Sequence, residues 1–203
     1  MVYVVLGAPS VGKGTRAKVL CQKLGIPHIS TGSLIRESEE IFEKYREILK
    51  DGKLIPDKVM QEMLIQRLQR DDAKAGFVLD GYPRTLAQVK DLEEILQLIG
   101  KKITKVFLFE APETEIYNRA LNRRICVSCD TIYGWGKDKT VPTICEKCGK
   151  ELTIRADDKP EIVKRRLEVY HEQIDPIIAY YDKQGVLERI DAMDKPEKVL
   201  ESV

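Results

Sequence analysis

"MVYVVLGAPSVGKGT", residues 1–15, decides the fold. Residues 2–6 are a short apolar, β-branched run that stops at Gly7, the pattern of a strand buried on both faces. Gly7, Gly12 and Lys13 then carry the spacing of a phosphate-binding loop, G-x-x-x-x-G-K-[ST], with one displacement. Gly14 follows the lysine, and the hydroxyl waits until Thr15. Residues 15–23 read as a helix with Ala17, Val19, Leu20 and Leu24 toward a core. A strand, a glycine loop and a helix in that order let backbone N–H groups converge on an anion at the helix N-terminus. An ordinary glycine-rich turn is the plain alternative, and the flanking elements favour phosphate.

Beyond the loop, residues 34–50 and 58–70 read as charged helices separated by "DGKLIPD", residues 51–57. "GFVLDGYPRT", residues 76–85, holds a second buried strand ending in Asp80, and residues 86–99 form an amphipathic helix closed by Gly100. Residues 103–109 and 186–190 give further strands; residues 113–124, 160–183 and 196–203 give helices. Pro160 and the acids before it suit the start of a helix. Strands alternating with helices at crossover lengths specify an α/β fold, a parallel sheet covered on both faces. Residues 30–55 and 122–155 read as insertions into a single core.

The chain has 203 residues, 34 basic and 33 acidic side chains, and a formal charge of +1. That balance disfavours a generally basic nucleic-acid-binding surface. No apolar run is long enough to span a membrane, and the N-terminus lacks the basic start and cleavage site of a signal peptide. A cytoplasmic protein is expected. Four of five cysteines form "CVSC" (Cys126, Cys129) and "CEKC" (Cys145, Cys148), a C-x₂-C-x₁₅-C-x₂-C spacing that points to structural zinc in a reducing compartment. Four thiolates would leave no open coordination position. Disulfides and an iron–sulfur cluster are the alternatives. Cys21 reads as an ordinary buried cysteine.

"GKGT" resembles the loop of the nucleoside monophosphate kinases, adenylate kinases most closely. "HISTGSLIR" (residues 28–36), "LDGYPRT" (79–85), "NRRI" (122–125), "TIRADD" (153–158) and "KRRLEVYH" (164–171) match that family in order and spacing. The resemblance implies a three-layer fold of the P-loop nucleoside triphosphate hydrolase type. It would have a five-stranded parallel sheet, a small helical monophosphate-binding insert (30–55) and a zinc-ribbon-like lid (122–155). It implies Mg²⁺-dependent transfer of a phosphoryl group from ATP to AMP, giving two ADP. The acceptor phosphate is already ionised, so charge neutralisation and positioning carry the chemistry.

By the same resemblance Ser10, Val11, Gly12, Lys13, Gly14 and Thr15 hold the ATP phosphates, and Arg119, Ile132 and Tyr133 lie near the ATP base. Arg123, Arg155 and Arg166 close on the transferring group, while Arg36 and Arg84 grip the AMP phosphate. Lys53, Leu54, Ile55, Gly81, Tyr82 and Pro83 complete the AMP site, with Thr31 and Gln88 bonding adenine. Asp80 matches an aspartate holding Mg²⁺ through water, with a turn or capping role as the alternative. Asp157 and Asp158 orient arginines, serve a lid hinge, or cap the following helix. Only nucleotide partners and a monomer are expected.

Four places depart from the family pattern: Ser10 for glycine, Ser33 for aspartate, Ala156 for lysine, and "GWGKDKTVPT" after Tyr133. A kinase for another monophosphate is one rival reading. A zinc ribbon carried on a nucleotide-switch domain is the other.

Overall fold

The computed structural model describes residues 1–129, 131–134 and 141–203. The opening apolar run is β1, Val2–Gly7, buried throughout. Gly12 takes a φ of 106° and starts α1, Lys13–Leu24, which ends at Gly25. Then come β2 (His28–Ser30), α2 (Thr31–Glu37), α3 (Glu39–Lys44), α4 (Arg46–Lys50), α5 (Asp57–Leu68), β3 (Phe77–Asp80) and α6 (Leu86–Leu98). After β4 (Lys105–Glu110) and α7 (Glu113–Asn122) lie three short strands, β5 (Arg124–Cys126), β6 (Ile132–Tyr133) and β7 (Leu152–Thr153). The long α8 (Pro160–Lys183) and β8 (Leu187–Asp191) follow, and Pro196–Ser202 closes the chain as 3₁₀ turns, where a helix was expected.

Five strands make one parallel sheet in the order β2–β3–β1–β4–β8. Val4 at its centre pairs with Leu79 on one side and Val106 on the other. Side chains alternate across the pleat, so Val2, Val4 and Leu6 enter one core with Leu64, Leu92 and Tyr181. Tyr3 and Val5 enter the opposite core with Leu20, Phe107, Phe109 and Leu167. Each large apolar side chain buried in these layers contributes about 1.5–3 kcal/mol. The two filled layers fix the carboxyl ends of β1, β3 and β4, beside which the chain reverses its direction of strand addition. Ligands of open parallel sheets bind at such a point.

The edge strand β2 was not read in the sequence. It has three residues, of which only Ile29 is apolar and fully buried. The expected continuous helix over 34–50 is three short ones. Ser30 caps α2 by accepting from the Ser33 N–H, so that helix begins earlier, at Thr31. Ser38 then breaks the run, with extended φ and ψ of −94° and 95°, and caps α3 by accepting from the Ile41 N–H.

The helix expected over 113–124 stops at Asn122. Arg123 is extended there (φ −63°, ψ 132°), and Arg124 already belongs to β5. Strands β6–β5–β7 form a small antiparallel sheet of their own. On its far side Arg155 is again extended (φ −67°, ψ 142°), ahead of the 3₁₀ turn Ala156–Asp158. Among the described residues no helix is long and apolar enough to cross a membrane.

Candidate active site

The glycine loop sits at the carboxyl end of β1. Gly7 has a φ of 139°, and a Cβ there would stand 2.5 Å from the carbonyl oxygen of Phe109, so β4 is packed directly against it. Gly14 stands where the usual pattern has a hydroxyl. A Cβ on it would stand 3.4 Å from an Asp80 carboxylate oxygen, at contact distance, so this position lies directly beside Asp80. No side chain caps the start of α1, which leaves the N–H groups of its first turn facing the loop. Ser10 takes a φ of 63°, uncommon for a residue with a Cβ, and its buried Oγ has no hydrogen-bond partner. Val11 is fully buried. Thr15 is half-buried on the first turn.

Lys13 reaches back over the loop and donates to the carbonyls of Gly7 and Ala8, both at 2.8 Å. Burial lowers its pKa to about 7; Asp80 opposes this, while Arg84, Arg166 and Arg123 reinforce it. Arg84 Nε donates to Gly81 O at 2.7 Å, and burial, followed by Arg166, lowers its pKa to about 10. Arg155 is lowered to about 10 by burial and by Arg123 and Arg36, and its buried Nε has no partner. Arg166 is also lowered by burial, against the attraction of Asp157. These cations share one neighbourhood. Gly7, Lys13, Leu54, Gly81, Pro83, Arg84 and Arg166 line the same cleft.

Two carboxylates hold two of the arginines. Arg123 Nε donates to Asp158 Oδ2 at 2.7 Å, and its Nη2 donates to Oδ1. Arg166 Nη1 donates to Asp157 Oδ2 at 2.7 Å. Neither acid caps α8, whose cap position is Lys159 with no side-chain bond. Asp80 ends β3, with His28 Nε2 3.1 Å from its Oδ2. Burial pushes its carboxyl up, but the His28 hydrogen bond and the Lys13 charge more than offset this and hold it below the ordinary aspartate range.

On the expected acceptor side, Arg36 is exposed and its Nη2 donates to Ser33 Oγ at 3.1 Å, where a carboxylate would have bound it more strongly. Thr31 is buried, its hydroxyl 2.9 Å from Gly81 O. Gln88 is buried with both amide ends engaged: Oε1 accepts from the Arg84 N–H at 2.7 Å and Nε2 donates to Asp57 Oδ1 at 2.6 Å. Ile55 and Tyr82 are core residues, and exposed Lys53 pairs with Asp51 at 2.9 Å. Arg119 is buried, bonded to Val11 O at 3.0 Å, Ala192 O at 3.1 Å and Glu115 at 2.7 Å. Of the four departures, the side chain of Ala156 and residues 135–140 of the atypical loop lie outside the described residues.

The sequence reading gave no role to His28, Asp57 or Arg16. His28 opens the motif of residues 28–36, but its position beside Asp80 depends on the pairing of β2 with β3. Arg16 stands four residues before Leu20 on the buried face of α1, and a charge on that stripe was the available signal.

The four cysteines come from β5, the turns after it and the segment before β7, and all their sulfurs lie within 4.8 Å of one another. Cys126 and Cys148 are 3.3 Å apart, Cys129 and Cys145 3.6 Å. A disulfide needs about 2 Å. Four sulfurs at about 2.3 Å from a tetrahedral ion stand about 3.8 Å apart. The set therefore fits a metal ion and not two disulfides. The Tyr133 hydroxyl donates to Cys145 Sγ at 3.4 Å and accepts from the Glu146 N–H at 2.9 Å. That bond, with amides of Cys148 and Lys147, lowers the Cys145 thiol to about 6 against desolvation.

Residues 5–186 match the family model for adenylate kinase. An adenylate kinase of Agathobacter rectalis is 41% identical over 208 residues, covering 100% of this chain and 97% of the relative. That of Caldicellulosiruptor saccharolyticus is 46% identical, covering 92% of this chain and 89% of the relative. That of Thermotoga petrophila is 42% identical, covering 100% and 96%. The match to this family's model and the likeness to these relatives along nearly the whole chain, with a cluster of cations at the mouth of a glycine loop on a parallel sheet, make this chain a phosphotransferase that belongs to the adenylate kinase family.

Proposed function

We propose that the protein catalyses reversible transfer of the terminal phosphoryl group of ATP to AMP, giving two ADP. The observation that carries this is the convergence of Lys13, Arg84, Arg123, Arg155 and Arg166, whose mutual repulsion and burial call for a polyanion. Two phosphate groups brought together in one dry cleft supply that charge. The loop amides of residues 10–15 and Lys13 hold the ATP phosphates. Arg36 and Arg84 hold the AMP phosphate, and Arg123, Arg155 and Arg166 neutralise the equatorial oxygens of the group in flight.

Attack comes from an AMP phosphate oxygen that needs no general base. This agrees with both histidines being engaged by carboxylates, His28 by Asp80 and His171 by Glu113. The ionised Asp80 suits an outer contact to Mg²⁺, which, bound with ATP, screens charge on the phosphate oxygens. Zinc is the metal that best suits four thiolates with no open position, and it would hold the small sheet together. Residues 122–155 form the lid over ATP and residues 30–55 the insert that receives AMP. Arg119, Ile132 and Tyr133 border the ATP base.

The test is ADP formation from Mg-ATP with AMP, CMP, UMP or GMP at equal concentration. Rapid turnover with AMP alone supports the reaction and base reading by Thr31 and Gln88. Preference for another base removes that specificity and leaves the family. No transfer to any of them removes the assigned roles of the arginines.

A further inference from the structure

Arg16 is the bulkiest of the fully buried side chains among the described residues, at 2% exposure. Burying a cation is costly, and an apolar side chain of similar volume would pack at this position at lower cost. Its guanidinium leaves α1 and runs to the turn after β8. There Nη2 donates to the carbonyls of Ala192 at 2.9 Å and Asp194 at 2.7 Å. Its carbon lies 5.4 Å from the centre of the Phe109 ring. Arg119 arrives at the same carbonyl from α7 and also bonds Val11 in the phosphate loop. Ala192 O thus accepts from two arginines, and through them the turn is tied both to the phosphate loop and to the helix that follows it.

We propose that Arg16 is a positioning residue for the phosphoryl donor, fixing the turn at Ala192 and Asp194 so that Arg119 presents a rigid wall beside the ATP base. This rests on the reading of the phosphate loop and Arg119 as the ATP site. The contacts of Arg16 all lie on that side: Gly12, whose carbonyl accepts from the Arg16 N–H, Phe109 at the end of β4, and the turn. The arginines assigned to AMP, Arg36 and Arg84, are bonded instead to Ser33 and Gly81. Losing Arg16 should therefore weaken one substrate and not the other.

The variants are Arg16→Met, which keeps the packing and removes the donors, and Arg16→Lys, which keeps a charge without the planar fork. The wild-type protein is assayed first. If it transfers nothing to AMP, the enzymatic reading fails on its own, whatever Arg16 does. With an active wild type, Arg16→Met is expected to raise KM for ATP about tenfold, the scale of a lost hydrogen bond from a charged group. KM for AMP should stay within about twofold, and the preference for ATP over GTP should fall. Direct titration of ATP onto the folded variant should show the same loss, and Arg16→Lys should be intermediate. If Arg16→Met does not fold, Arg16→Lys is read against the same two constants. Equal rises in both KM values, or a lower melting temperature with both KM values unchanged, would overturn the proposal.

Discussion

Arg123 and Asp158 meet through both oxygens of the carboxylate in the protein interior, the two residues 6% and 3% exposed. An ion pair so placed gains little over an apolar pair, but losing one partner strands a charge. Asp158→Ala should cost about 3 kcal/mol of stability. For a chain of this size that lowers the melting temperature by about 6–12 °C. Asp158→Asn, which keeps an acceptor, should cost less. A thermal melt of both variants within about 2 °C of wild type would show that the pair does not hold the structure.

Lys13 titrates near 7 in the folded protein, against 10.5 for the free side chain. Between these values the unfolded chain binds a proton that the native protein does not, so this group makes stability rise with pH across that window. Phosphates brought beside Lys13 raise its pKa again. Binding ATP at pH 8 should therefore take up close to one proton, and Lys13→Met should abolish the uptake. Calorimetry in buffers of different ionisation enthalpy measures this; heats independent of the buffer would contradict it.

Ser10 carries two costs at once, a left-handed backbone and a buried hydroxyl without a partner. Glycine removes both. A left-handed conformation costs a residue with a Cβ about 1–2 kcal/mol. The greater freedom of glycine in the unfolded chain offsets part of that. Ser10→Gly should stabilise the protein by about 0.5–1 kcal/mol, read as a shift in the denaturation midpoint at constant slope. Destabilisation would mean that the Ser10 hydroxyl has a bonded role.

The four cysteines should bind one zinc ion per chain, released on chelation and absent from Cys145→Ser. Metal in hundredfold excess over its dissociation constant adds about 2.7 kcal/mol. Chelation should then lower the melting temperature by about 5–10 °C. It should also open residues 124–153 to proteolysis before the main sheet. Metal analysis showing no zinc in protein purified without chelator would contradict the assignment.

The fold was legible where burial was continuous. Residues 2–6 and 76–80 announce themselves as strands because every position is apolar or structurally required, and α8 matches its expected bounds because Pro160 starts it and Gly185 lies just past its end. His28–Ser30 did not, because an edge strand of three residues shows no periodicity. Serines at 30 and 38 reset the helices by hydrogen bonds to their own backbone, which hydrophobic spacing alone cannot show. In the site, residue identities were legible as motifs but their pairings were not. That Asp158 serves Arg123 and Asp157 serves Arg166, or that Gln88 is bonded to Asp57, depends on distances set by tertiary packing.

The small sheet of the cysteine segment is attached to the rest of the chain through short connections that carry extended Arg123 on one side and, after Ile154, extended Arg155 on the other. Both carry guanidinium groups in the cation cluster. Rotation of that sheet about its two attachments would turn the same residues that supply positive charge to the cleft. Mechanical state and electrostatic state would then be one variable, and no separate linkage would be needed to report one to the other. On that reading, replacing the cysteines by another cross-link would leave the charge of the cleft in place, whereas replacing Arg123 or Arg155 would change the attachment and the charge together.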